Sequence, residues 1–158
     1  MNIISYNVRG LGRGVKWPAI KKLVIRHNID MICLQETKKE TIDKSTCQAL
    51  WGDSDVNWEA QPATNSAGEI LCIWSNKNFK LERKVQGPGF IMLEGKWHQE
   101  AQIIHITNIY SPCDIQNKRV LWAILTILGT HVKDSASITR MWGKETLMSS
   151  MNGSKSWR

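Results

Sequence analysis

The sequence has no two cysteines in C-x-x-C spacing. Its four cysteines, Cys33, Cys47, Cys72 and Cys113, are scattered, which leaves no element from which a zinc site would be built. Cys33 and Cys72 sit inside apolar runs, where a thiol behaves as a small hydrophobe. The expectation is a reduced, intracellular protein without zinc. No stretch reaches the ~18 apolar residues that a membrane span needs, so no membrane association is expected. The start of the chain lacks a basic segment followed by a long apolar stretch and does not read as a signal peptide. No internal repeat is visible.

Acidic residues are also in short supply. The 158 residues carry 14 Asp and Glu against 21 Lys and Arg, a net charge of +7. That balance favours a polyanionic partner, nucleic acid before others. The excess is uneven. Residues 1 to 39 hold eight basic side chains (Arg9, Arg13, Lys16, Lys21, Lys22, Arg26, Lys38 and Lys39) and two acidic ones, Asp30 and Glu36, so six of the seven surplus charges lie in the first quarter. The helical lysines read equally well as a solvated face. Apolar residues are present in ordinary amount, 42%, which excludes wholesale disorder and suits one domain with a sizeable core.

Residues 2 to 8, NIISYNV, read as a strand, followed by a loop with Gly10, Gly12 and Gly14. Pro18 suits the first turn of a helix over WPAIKKLVIRHN, on which Trp17, Ile20, Leu23, Val24 and His27 share a face. His27 reads as a helix-end residue. DMICLQE, residues 30 to 36, is a nearly continuous apolar strand of the kind buried on both faces. Strand, helix and strand in some 36 residues predict a parallel βαβ unit. A second helix is predicted over 40 to 51. Five strands follow, at 56 to 61, 68 to 75, 79 to 86, 90 to 97 and 101 to 110. Short turns such as NSAG at 65 to 68 and GPG at 87 to 89 imply antiparallel pairing. A third helix is predicted over 114 to 128, with Leu121, Trp122, Leu125 and Leu128 on a broad apolar face. Residues 129 to 158 show scattered Met and Trp, many Ser and Thr and no sustained period, and are expected to be poorly ordered.

In a parallel βαβ unit both strands end at the same edge of the sheet. Asn7 ends the first and Glu36 the second, so both are expected at one rim, where open α/β sheets place ligands. A carboxylate there is a hard oxygen ligand suited to Mg²⁺. A carboxamide beside it can donate and accept at once, holding a phosphate oxygen, a water or the carboxylate. The glycines let the backbone turn tightly, and Arg9, Arg13 and Lys16 supply charge for phosphates. Plainer readings exist: a turn-forming Asn and an exposed strand-end Glu. The same pieces also open a dinucleotide-binding unit. Against that stand Val15, where the third glycine of G-x-G-x-x-G should fall, and the switch to antiparallel strands.

Together SYNVRGLG, IDMICLQETK, SAGEILCIW and ITNIYSP, in this order and spacing, resemble the endonuclease/exonuclease/phosphatase superfamily. Within it they look like the apurinic-endonuclease-like domain that begins plant LINE-type, non-LTR retrotransposon proteins. The resemblance covers residues 1 to about 128. It implies a four-layer α/β fold, two packed β-sheets with helices outside, of which this chain would carry the first half, truncated. It implies Mg²⁺-dependent cleavage of DNA phosphodiester bonds, with Mn²⁺ as a substitute. Glu36 of LQET matches the metal-binding glutamate, and Asn7 of SYNV the active-site asparagine that organises metal and phosphate. Tyr110 of NIYSP matches the tyrosine beside the scissile phosphate, with Asn108 nearby on the same strand as a nucleic-acid contact.

The chain departs from the family pattern in three places. Repair enzymes carry an acidic residue two positions after the asparagine, where Arg9 stands. Family members often have a second glycine after Gly68, where Glu69 stands. The Gly-Asp-Phe-Asn and Ser-Asp-His motifs of the second half, which supply the water-positioning aspartate and the histidine with its orienting aspartate, are missing. His131 and Asp134 match neither. The expectations are a DNA partner, an intracellular setting that includes the nucleus, and a truncated copy too incomplete to turn over. The alternative is a non-catalytic, basic nucleic-acid-binding remnant. With mainly one sheet in hand, a face bearing residues such as Leu71, Ile73, Ile104 and Ile106 is expected to lie uncovered and open to a partner chain.

Overall fold

Strand β1 (Asn2–Asn7) and strand β2 (Met31–Gln35) run parallel, in register from Ile3 opposite Met31 to Asn7 opposite Gln35. Helix α1 (Trp17–Arg26) joins them, with Pro18 in its first turn, where the missing N–H costs nothing. Ile20 and Val24 are buried against the sheet, and Trp17 and Leu23 pack beside them. The helix closes at His27, its C-cap, and Asn28 turns the chain with a φ of 46°. This computed structural model describes residues 1–12, 14–39, 41–62, 69–99, 102–111, 114–132, 138–142 and 146–149. Arg13, the NSAG turn with Gly68, Pro112, Cys113, Asp134 and much of the segment after 132 lie outside the described residues.

Helix α2 (Lys44–Trp51) begins later than the predicted position 40 because Asp43 caps it. The Asp43 carboxylate accepts the Thr46 N–H at 2.8 Å, and Gly52, at φ 96°, ends the helix. Strands β3 (Asn57–Gln61) and β4 (Ile70–Trp74) pair antiparallel, and β4 also pairs antiparallel with β2. A single parallel pair flanked by an antiparallel strand offers no second βα repeat, so the dinucleotide-binding alternative does not fit this sheet.

The turn at 75–78 is not a hairpin. It carries the chain out of the first sheet into a second one, formed by β5 (Phe79–Gly87), β6 (Phe90–Trp97) and β7 (Gln102–Ile109) as an antiparallel meander. Trp74 and Phe79 stay in edge-on contact across that turn, ring centroids 5.7 Å apart, and both belong to the apolar cluster between the sheets. Gly95 permits this packing, because a Cβ there would stand 2.5 Å from the Phe79 ring. Pro88 and Gly89, the latter at φ 81°, make the two-residue turn from β5 to β6.

Helix α3 (Ile115–Val132) runs past the predicted end at 128. Its Leu121 and Leu125 cover Phe90, Met92 and Ile109 on the outer face of the second sheet. Trp122, expected on that face, is half exposed instead. Where the sequence shows no period, two short strands occur: β8 (Ile138–Trp142), parallel to β7, and β9 (Thr146–Ser149), antiparallel to β1. The sheets are thus ordered β3-β4-β2-β1-β9 and β5-β6-β7-β8. Among the described residues no helix is long and apolar enough to cross a membrane.

The layers are α1 and α2, the first sheet, the second sheet, and α3. This corrects the expectation of an uncovered sheet face awaiting a partner chain. Leu71 and Ile73 are buried under α1 and α2, and Ile104 and Ile106 are buried between the sheets. The expectation failed because the strands after residue 78 build the partner sheet rather than extending the first. The interior between the sheets also changes character along the strands. On β1 it reads Ile3, Ser5, Asn7; on β2 Met31, Cys33, Gln35; on β7 Ile104, Ile106, Asn108. One end is apolar, with Trp74, Trp97 and Phe79, and the other is polar.

Candidate active site

At the polar end the two loops leaving β1 and β2 stay zipped together. Val8 N–H donates to Gln35 O at 3.0 Å, Gly10 N–H to Glu36 O at 2.6 Å, and Leu11 N–H to Thr37 O at 2.8 Å. This continued pairing is possible because the backbone leaves the strand conformation. Arg9, Glu36 and Lys38 take φ values of 48°, 54° and 51°, and Gly10 takes 91°. The left-handed region is unfavourable for a side chain larger than glycine. It swings Glu36 out of the strand alternation so that its carboxylate meets groups from both sheets.

Asn7 Nδ2 donates to Glu36 Oε1 at 2.8 Å, and the Tyr110 hydroxyl donates to the same oxygen at 2.9 Å. The other end of the Asn7 carboxamide, Oδ1, accepts the Arg9 N–H at 3.0 Å, so the amide orientation is fixed from both sides. Tyr110 follows β7, and its backbone N–H donates to Gly89 O at 2.8 Å, which anchors it to the β5–β6 turn. The Glu36 carboxyl is held below its ordinary range. The Asn7 amide is the main cause and the Tyr110 hydroxyl the next; the positive charges of Lys38 and Arg9 add to this, and partial burial opposes it. The group is a carboxylate at neutral pH.

The structure thus brings Asn7, Glu36 and Tyr110 together at one rim. The other expected contacts divide. Arg9 is exposed at the rim. The Lys16 ammonium donates to Val8 O at 2.5 Å and to Arg9 O at 3.3 Å, so it holds the loop as well as contributing charge. Arg13 lies outside the described residues. Asn108 is a correction: it is 0% exposed and cannot touch a nucleic acid. Its side chain points between the sheets, donating to Leu34 O and accepting from Gln35 Nε2. Sequence reasoning missed Lys38, which is exposed and acts on Glu36 through its charge. It also missed Gln35 and Ser5, whose signal was a polar residue in an otherwise apolar buried strand. Lys39 belongs elsewhere, over the Trp17 ring and bonded to Thr46 Oγ1 at 3.0 Å.

Metal fit is partial. Glu36 supplies one hard oxygen ligand of the kind a largely hydrated Mg²⁺ accepts. Among the described residues no group of three or more His, Cys, Asp or Glu side chains is placed to hold a metal ion. The histidines with described side chains stand apart from the rim. His27 ends α1, His98 follows β6 at the far end of the second sheet, and His105 is buried with Nδ1 at 3.6 Å from Glu94.

No family model matches the sequence, and no curated protein matches it. Solved structures do match. An endonuclease/exonuclease/phosphatase family protein from Bacteroides thetaiotaomicron is 16% identical with a TM-score of 0.64, over 89% of this chain and 62% of that one. The mannosyl-6-phosphatase Bt3783 of the same organism is 14% identical with a TM-score of 0.63, over 89% and 64%. The AP endonuclease LMAP from Leishmania major is 15% identical with a TM-score of 0.52, over 84% and 46%. The chain spans 60 to 66% of the length of the first four structures of this group. At these identities the likeness concerns architecture, and the chain has the endonuclease/exonuclease/phosphatase fold.

Proposed function

We propose that this chain is part of a metal-dependent phosphodiesterase that acts on DNA, and that the rim as it stands here binds phosphate without turning it over. The observation that carries the reading is the convergence of Asn7 and Tyr110, from different sheets, on one oxygen of Glu36. A rim that fixes a single carboxylate, keeps it ionised and sets Arg9 and Lys38 beside it suits a phosphate ester. The fold relatives named as an endonuclease and a phosphatase have phosphate-ester hydrolysis in common. The finer assignment, the endonuclease of a LINE-type retrotransposon, rests on the motifs SYNV, LQET and NIYSP.

Mg²⁺ or Mn²⁺, when bound at Glu36, would supply Lewis-acid stabilisation of phosphoryl charge. The protein's own groups do the rest. Asn7 and Tyr110 orient the carboxylate, and Arg9 and Lys38 draw the phosphate in. With Glu36 given to the metal, the other rim groups, Asn7, Arg9, Lys38 and Tyr110, include no base to take a proton from an attacking water. Such general acid–base help is typically worth ~10²–10⁴-fold, and its lack favours the second reading, a non-catalytic nucleic-acid-binding remnant, for actual turnover. The test is a nicking assay on supercoiled plasmid with Mg²⁺ or Mn²⁺. No nicking above background is expected, while Mn²⁺ titrated by electron paramagnetic resonance should bind and lose its site in Glu36→Ala. Robust nicking abolished by Glu36→Ala would overturn the claim of inactivity. Mn²⁺ binding unchanged in that variant would overturn the site.

A further inference from the structure

Glu36 and Tyr110 belong to different sheets, 74 residues apart in the chain, yet meet at 2.9 Å. Something must set the offset between the sheets at this end. The apolar cluster between them is non-directional, and such contacts tolerate sliding. Directional links lie one layer beneath the rim. Gln35 Nε2 donates to Asn108 Oδ1 at 2.6 Å and to Ser5 Oγ at 2.9 Å. Asn108 Nδ2 reaches Leu34 O at 3.3 Å and Leu71 O at 3.5 Å in the facing sheet. All three side chains are buried. Gln35 immediately precedes Glu36, and Asn108 stands two residues before Tyr110.

We infer that Asn108, with Gln35 and Ser5, is the positioning link that sets Tyr110 against Glu36. The link is costly for stability alone. Gln35 Oε1 is buried without a partner among the described residues, and an incompletely satisfied polar network is less stable than apolar packing of the same shape. Its value is geometric: the Asn108 amide, which accepts from Gln35 and donates to Leu34 O, has one good alignment, whereas Ile against Leu has several. The inference does not depend on what the rim binds.

The chain has only two tyrosines, so a Tyr6→Phe background leaves Tyr110 as the sole phenol. Its Raman Fermi doublet then reports the hydrogen bond that its hydroxyl donates. Glu36→Gln supplies the reference for loss of the carboxylate acceptor. Gln35→Met and Asn108→Leu should each move the doublet toward that reference. Leu93→Ala, a truncation elsewhere in the same interior, should leave it in place. The double variant Gln35→Met/Asn108→Leu removes both polar partners and should regain thermal stability relative to either single variant, without restoring the doublet. That separation is one a merely structural role would not produce, and the double variant decides the matter if the singles do not fold. A doublet unmoved in the folded variants, or moved equally by Leu93→Ala, would overturn the inference.

Discussion

Glu36 carries two roles at one residue, an ionised side chain and a left-handed backbone at φ 54°. A non-glycine residue in that region costs about 1–2 kcal/mol. The two roles can be separated by comparing Glu36→Ala with Glu36→Gly. Both lose the carboxylate and its two hydrogen bonds, but only glycine is at ease there. The glycine variant should be the more stable by about 1 kcal/mol in urea unfolding. An alanine variant as stable as the glycine variant, or more so, would show that the backbone stores no strain. As a strand-end acid Glu36 was legible in the sequence, because parallel strands finish at a common edge. Its backbone was not, since glutamate carries no mark of the left-handed region as glycine does. Asn108 was misread for a related reason. It shares a strand face with Tyr110, but two residues along a strand cover about 6.6 Å, the distance from the rim to the buried layer beneath it.

Helix α2 shows what a single cap does for an element. Hydrogen bonds from Thr46, its hydroxyl first and its backbone N–H second, hold the Asp43 carboxyl at about 2, against an ordinary value of 3.8. A group whose folded value is depressed contributes stability above its unfolded value and loses it as pH falls through the folded value. The stability difference between the natural chain and Asp43→Ala should therefore be constant above about pH 5, and should shrink as pH falls from 3.8 toward 2. Denaturant midpoints across that range would measure it, and a gap that widened in acid would contradict the cap. Most elements were legible because their signals are local: Pro18 in a first turn, Pro88–Gly89 between two strands, the continuous apolar run of β2. The assignment of strands to sheets was not. Ser75 to Asn78 look like any hairpin turn, and the passage into a second sheet rests on tertiary packing between the sheets, Trp74 on Phe79 included.

At the scale of the molecule, the surplus of positive charge should give weak, sequence-independent DNA binding that falls steeply with salt, because each phosphate contact releases counterions. Arg9→Ala and Lys38→Ala should each reduce the slope of log affinity against log salt by about 1. Affinity indifferent to salt would mark the surplus as ordinary solvated surface. With both sheets facing each other and helices on the outer faces, cooperative unfolding of an ordinary domain replaces the marginal behaviour expected of an uncovered sheet. Calorimetry showing a single transition would agree with this, and a broad, gradual melt would not. The strands after α3 escaped the sequence because four or five residues hold too few alternations to rise above chance. Their topology has a temporal side. β9 lies along the edge of β1 that β2 leaves open, with Ser5 opposite Thr146. Ribosomes add roughly 5–20 residues per second, so β1 is made on the order of ten seconds before its second neighbour exists. For that interval the nascent chain exposes an unfilled strand edge, and whatever first fills it, a chaperone or another nascent copy, competes with the chain's own later residues.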